Sequence, residues 1–134
     1  MALVGEIVAA SLRALRVIDP DQNPEPRQYQ TAIDAMNRML ARWEADTLAL
    51  GWIPVRSPDE VFPISARAEN AVIYNLAVLL RAEYGVPIDP DVIGMARDEK
   101  SGLWADLTRE TDSRLTMDLP YSESFLDRFR FFIG

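Results

Sequence analysis

Glu44 with Asp46 and Asp89 with Asp91 are the acidic pairs whose spacing could be promoted to general acid and base chemistry. Neither arrangement suits it. Side chains two residues apart on a helix point about 200° apart around the axis, so Glu44 and Asp46 cannot converge on one substrate. Asp89 and Asp91 bracket the start of a predicted helix, where the helix dipole favours carboxylates without any catalytic reason. Glycoside hydrolysis would require two carboxylates roughly 5 to 9.5 Å apart around a cleft. Glu44 or Glu83 joined by a distant aspartate is the enzymatic arrangement the sequence leaves open. The chain has no cysteine and no histidine. Thiolate and imidazole ligands, cysteine nucleophiles and Ser/His/Asp triads are therefore absent. Lys100, the only lysine, stands beside Asp98 and Glu99 and reads as a solvated charge on a helix surface. No glycine-rich phosphate loop or nucleophile elbow occurs. The expectation is a protein without catalytic, cofactor-binding or metal-binding residues, and not an enzyme.

At 134 residues the chain has the usual size of one domain and can bury a core without metal or disulfide help. Its 14 Lys and Arg residues against 21 Asp and Glu give a formal charge of −7, with no arginine cluster. A surface that grips nucleic acid by neutralising phosphates is not expected. The first eighteen residues are interrupted by Glu6, Arg13 and Arg16, so they predict no export signal and use in a cytoplasm. No run approaches the length of a membrane span.

Apolar residues at three and four spacing predict the elements that must position any surface. A first helix covers about Leu3 to Val17, with Val4, Ile7, Val8, Leu12 and Leu15 inward. Asn23 and Pro24 read as the cap and first position of a second helix, which extends to about Leu50 and is ended by Gly51. Its inner face is Tyr29, Ile33, Met36, Leu40, Trp43 and Thr47. At 1.5 Å per residue it is a rod of roughly 40 Å, long enough to brace neighbours. Residues 52 to 64 break the helical period and read as a loose hairpin limited by Pro54 and Pro63. Its Trp52, Val55 and Phe62 are either outward contacts or a cap on the bundle's own end. Ser65 caps a third helix with Val72, Ile73, Leu76, Leu79 and Leu80 inward, ending at Gly85. Asp89 and Pro90 open a fourth, with Val92, Ile93, Ala96, Leu103, Trp104 and Leu107 inward, which frays near Thr111. The fold class expected is all-α: a four-helix bundle-like domain over residues 1–112 with a long second helix, a hairpin-like loop between helices 2 and 3, and an extended C-terminal arm over 113–134.

The arm carries its own argument. Tyr121, Phe125, Phe129, Phe131 and Phe132 are five of the chain's twelve aromatic side chains. Exposing such side chains forgoes roughly 1.5 to 3 kcal/mol each. The segment therefore docks, either closing its own core or seating on a partner. The polar, proline-containing stretch from Ser113 to Pro120, with its alternating Leu115, Met117 and Leu119, favours an arm that reaches a partner. Phe125, Phe129 and Phe132 also fit one face of a short helix, with an extended peptide as the rival.

Leu12-Arg13-Ala14-Leu15, the run from Ala32 to Asp46, Tyr74-Asn75-Leu76-Ala77 and Glu83-Tyr84-Gly85, in that order and spacing, resemble the head-to-tail adaptors of short-tailed bacteriophages. These are also called packaged-DNA stabilization proteins or tail accessory factors. The resemblance covers about residues 5 to 110. It implies a helical protein that forms a homo-oligomeric ring of twelve under the portal protein, at the head-tail junction of a virion assembled in the host cytoplasm. Such a ring extends the DNA channel without sequence-specific binding and receives a tail or nozzle protein below. Leu15, Trp43, Leu76 and Tyr84 fall on packing positions of that family. By position, Leu119, Tyr121, Phe125, Phe129, Phe131, Phe132 and Ile133 would be the portal-binding residues. An acidic channel wall would let DNA slide. The rival expectations are a small bacterial helical interaction module or regulator, a wall-degrading carboxylate enzyme, and the head-completion connector of a long-tailed phage.

Overall fold

The structure, a computed structural model, describes residues 2–87 and 89–117, with side chains described through Glu110. Among these residues four α-helices form: α1 (Val4–Ala14), α2 (Pro26–Ala45), α3 (Glu69–Tyr84) and α4 (Pro90–Met117), with a short 3₁₀ turn, Ala66–Ala68, before α3. The all-α expectation holds. By contact the chain divides into two units, Met1–Trp104 and Ala105–Gly134, with α4 running across the division.

In the first unit, α1, α2 and α3 pack on one another. The stripe read for α1 is the one it buries, since Val4, Ile7, Val8, Leu12 and Leu15 are all interior. They meet Ile33, Met36, Leu40 and Trp43 of α2 and Val72, Leu76 and Leu80 of α3 in one core. Small residues allow close approach between α1 and α3. Ser11, fully buried, has its hydroxyl 3.0 Å from the carbonyls of both Ile7 and Ile73, so one proton is shared between an intrahelical acceptor and a partner on α3. Asn75 links α3 to α4 through both protons of its amide, donating to the carbonyls of Ala71 at 2.7 Å and Ala96 at 2.9 Å.

Element ends depart from the sequence expectation in instructive ways. α2 starts at Pro26, with Glu25 as its cap residue and the Glu25 N–H donating to Gln28 Oε1 at 2.8 Å. It stops at Ala45, well before Gly51. Thr47 takes a left-handed φ of 73°, while the Thr47 and Leu48 N–H groups bond back to Glu44 and Trp43 carbonyls. That is a Schellman ending with threonine where glycine is usual. α1 ends the same way through Arg16, φ 61°, with Arg16 and Val17 bonded to Arg13 and Leu12. The rod of α2 is thus about 30 Å rather than 40 Å, and α4, with 28 residues, is the longest helix of the chain. Its backbone stays helical past Thr111 to Met117, which corrects the extended reading of residues 113–117. No proline interrupts the chain between Pro90 and Pro120, so nothing there forbids an N–H from bonding its helical acceptor. Gly85, φ 60°, ends α3 as expected, while Ser65 heads the 3₁₀ turn without a side-chain cap bond.

The hairpin does not form. Among the described residues the extended pairing is a single antiparallel bridge between Leu3 and Val61. The loop after α2 turns on itself through Glu60, whose Oε2 accepts the Arg56 N–H at 2.8 Å, and binds the start of α1: Val4 and Gly5 N–H donate to the Glu60 and Pro58 carbonyls, and Phe62 N–H donates to the Ala2 carbonyl. The first N–H groups of α1, which a helix cannot satisfy internally, are capped by the loop. Gly5 permits this approach, since a Cβ there would lie 3.1 Å from Pro58.

Candidate functional site

Two features could meet a partner: the loop between α2 and the 3₁₀ turn, and a groove on the other flank of α2. The loop is held by two polar side chains of α2 seven residues apart and therefore on one face. Asn37 acts as a one-residue strand, its Nδ2 donating to the Val55 carbonyl at 2.8 Å and its Oδ1 accepting the Val55 N–H at 3.1 Å. Glu44 Oε1 accepts the N–H groups of Leu50 at 3.0 Å and Trp52 at 2.9 Å. These two residues fix an otherwise irregular segment, and the sequence reading missed their role. The signal was a polar residue beside the apolar stripe at both ends of a seven-residue interval.

This anchoring decides where the expected loop contacts lie. Val55 and Phe62 are 6% and 1% exposed, so both are core residues and neither offers surface in the folded chain. Trp52 is half-buried with its ring 5.9 Å from that of Phe62, and its buried indole N–H has no acceptor among the described residues. The alternative of a loop that caps its own bundle is the one realised. The apolar side chains that do point outward are Ile53, 66% exposed, and Val61, 50% exposed.

On the opposite flank α2, α3 and α4 enclose a groove of about 490 Å³, with Met39, Trp43 and Leu79 among its apolar walls and Arg38, Glu83 and Lys100 on its rim. Leu79, expected inward, is 44% exposed here. Lys100 is more than a solvated charge, because its Nζ sits 5.0 Å from the centroid of the Trp43 ring, within cation–π range. Arg38 lies 3.8 Å from Glu83, and Arg42 3.2 Å from Asp46.

The acids weighed for catalysis have structural work. Glu44 holds the loop and Asp46 pairs with Arg42. Asp89 caps α4, its Oδ1 accepting the Asp91 N–H at 3.0 Å, and approaches Arg16 at 3.9 Å. Among the described residues no group of three His, Cys, Asp or Glu side chains could hold a metal, and no helix is long and apolar enough to cross a membrane. The Tyr84 phenol is pushed upward from its ordinary pKa, by burial first and then by the neighbouring Glu83 carboxylate. Leu119, Tyr121, Phe125, Phe129, Phe131, Phe132 and Ile133 lie outside the described residues.

Among the described residues, polar side chains of α2 fasten the domain's own backbone, and a groove and exposed apolar side chains remain at the surface. The model of the family described as P22 tail accessory factor matches residues 1–125. The chain belongs to that family. It is a tail-associated structural protein of a short-tailed phage, a component of the virion, and of a non-enzymatic kind.

Proposed function

We propose that the chain is a ring-forming head-to-tail adaptor that binds the phage portal, extends the DNA channel and gives the tail or nozzle protein its attachment surface. Twelve copies would assemble in the host cytoplasm and take their place at the head-tail junction. The family match over residues 1–125 carries this reading. The aromatic run from Tyr121 to Phe132 supports it, as the segment with most to gain from a foreign apolar surface. Residues 113–134 would fasten the ring to the portal, through Leu119, Tyr121, Phe125, Phe129, Phe131, Phe132 and Ile133. A segment that gains its burial on docking would order assembly, since ring and portal become one only when the portal presents a groove to it. The acidic balance, −7 overall, suits a wall along which DNA must move without adhering.

Deletion of Tyr121 to Gly134 tests the proposal. The largest fully buried side chains of the described residues all belong to residues 4–80, so the truncated domain is expected to melt cooperatively by circular dichroism. Its affinity for purified portal rings should fall at least about tenfold, the effect of losing one central apolar anchor. A truncated protein that folds and binds portal with unchanged affinity would overturn the fastening role.

A further inference from the structure

The largest fully buried side chains of the described residues all belong to α1, α2, α3 or the loop between α2 and α3. The first half of α4 adds little to that core. Between Pro90 and Trp104, the part of α4 that lies in the first unit, only Ala96 and Leu103 are buried, whereas α1 buries Val4, Ile7, Val8, Ala9, Ser11 and Leu12 within 11 residues. Seven residues apart on a helix, Ala96 and Leu103 share one narrow seam two turns long. Met95 and Trp104 beside that seam are exposed. Gly94 and Gly102 weaken the helix at two points, and nothing lies within 4 Å of where either Cβ would stand, so no close approach within the chain accounts for them.

The polar ties to the core are slight as well. Asn75 of α3 donates to the Ala96 carbonyl at 2.9 Å in a part-buried bond, and the Lys100 ammonium sits 5.0 Å from the centroid of the Trp43 ring. Just before the helix, Arg16 and Asp89 approach to 3.9 Å, between side chains that are both exposed, where an ion pair holds little. We propose that Pro90–Trp104 is a latch: it leaves the α1–α3 core and unwinds as one unit while the core stays folded, with the bond from Asn75 to Ala96 as its catch. A helix of this length is marginal in water by itself, and two glycines make it poorer, so release and unwinding go together. Units of this kind open at free energies below that of the whole domain. Opening lifts Lys100 from the Trp43 ring and takes Ala96 and Leu103 off their seam.

Hydrogen exchange read by mass spectrometry on the full chain tests the latch. The amides of α4 between Pro90 and Trp104 are expected to exchange at least about tenfold faster than those of α1, and with a weaker urea dependence, since opening the latch exposes less surface than unfolding the domain. Val4→Ala, which hollows the core at the start of α1 where Val4 is fully buried, is expected to speed the α1 amides about tenfold or more and leave the α4 amides as they were, because the core is intact in the opened state. Asn75→Ala is expected to speed the α4 amides about fivefold, and Gly94→Ala with Gly102→Ala to slow them about tenfold or more. One rate and one urea dependence for α1 and α4, or a Val4→Ala acceleration shared equally by α4, would overturn the latch. An α4 exchange rate unmoved by Asn75→Ala would overturn the catch.

Discussion

Thr47 is the residue most at odds with its conformation. A β-branched side chain at φ 73° is held there by the two bonds that end α2, against a cost of about 1 to 2 kcal/mol for a left-handed L-residue. Thr47→Gly removes that cost while adding flexibility to the unfolded chain. It is expected to raise stability by roughly 0.5 to 1 kcal/mol, read as a higher urea midpoint at unchanged slope. Tyr84 gives a second test at this scale. Its pKa is raised above the ordinary 10.0, so the folded state holds the phenolic proton more tightly than the unfolded state does. The stability this contributes is complete below the unfolded pKa and is lost as pH rises through the higher folded value. Urea midpoints measured across the alkaline range should decline more steeply for the parent than for Tyr84→Phe.

Among the elements, α4 is the least committed. Of the inward residues expected for it, Ala96 and Leu103 are buried, while Trp104 is 38% exposed. Gly94 and Gly102 have nothing within 4 Å of where a Cβ would stand. Gly94→Ala and Gly102→Ala should therefore each stabilise the helix by about 0.5 to 1 kcal/mol, visible as a rise in thermal midpoint. The helices themselves were legible because apolar spacing reports a buried face directly, and the stripe of α1 is the clearest case. Their ends were not. Gly51 advertised a terminus that Thr47 supplies earlier, and the decisive contributor was Glu44, whose carboxylate gathers the loop back against the helix it has just left. Loop residues posed a harder problem, since an apolar side chain outside a periodic pattern carries no sign of inside or outside. Val55 and Phe62 went inward because Asn37 and the start of α1 take up the backbone on either side of them. Ile53, between the two anchors, was left pointing out.

For the whole molecule, the irregular segment is bound to both of its neighbours, so it cannot open alone. Its carbonyls cap the first turn of α1, and its N–H groups are held by α2. Trypsin cleavage after the exposed Arg56 should therefore be governed by unfolding of the entire domain instead of by a local breathing motion. Asn37→Leu leaves the Val55 N–H and carbonyl without their partner, a cost of about 1 to 3 kcal/mol for each group. The expected outcome is a large acceleration of the nick at Arg56 in limited proteolysis followed by mass spectrometry. The ammonium of Lys100 above the indole of Trp43 has a different kind of consequence. With one lysine in the chain, an amine-directed dye marks a single side chain apart from the amino terminus, and that mark falls beside an intrinsic fluorophore. The molecule comes supplied with a donor and an attachment point for an acceptor at one address, so whatever arrives on that face can be followed as light.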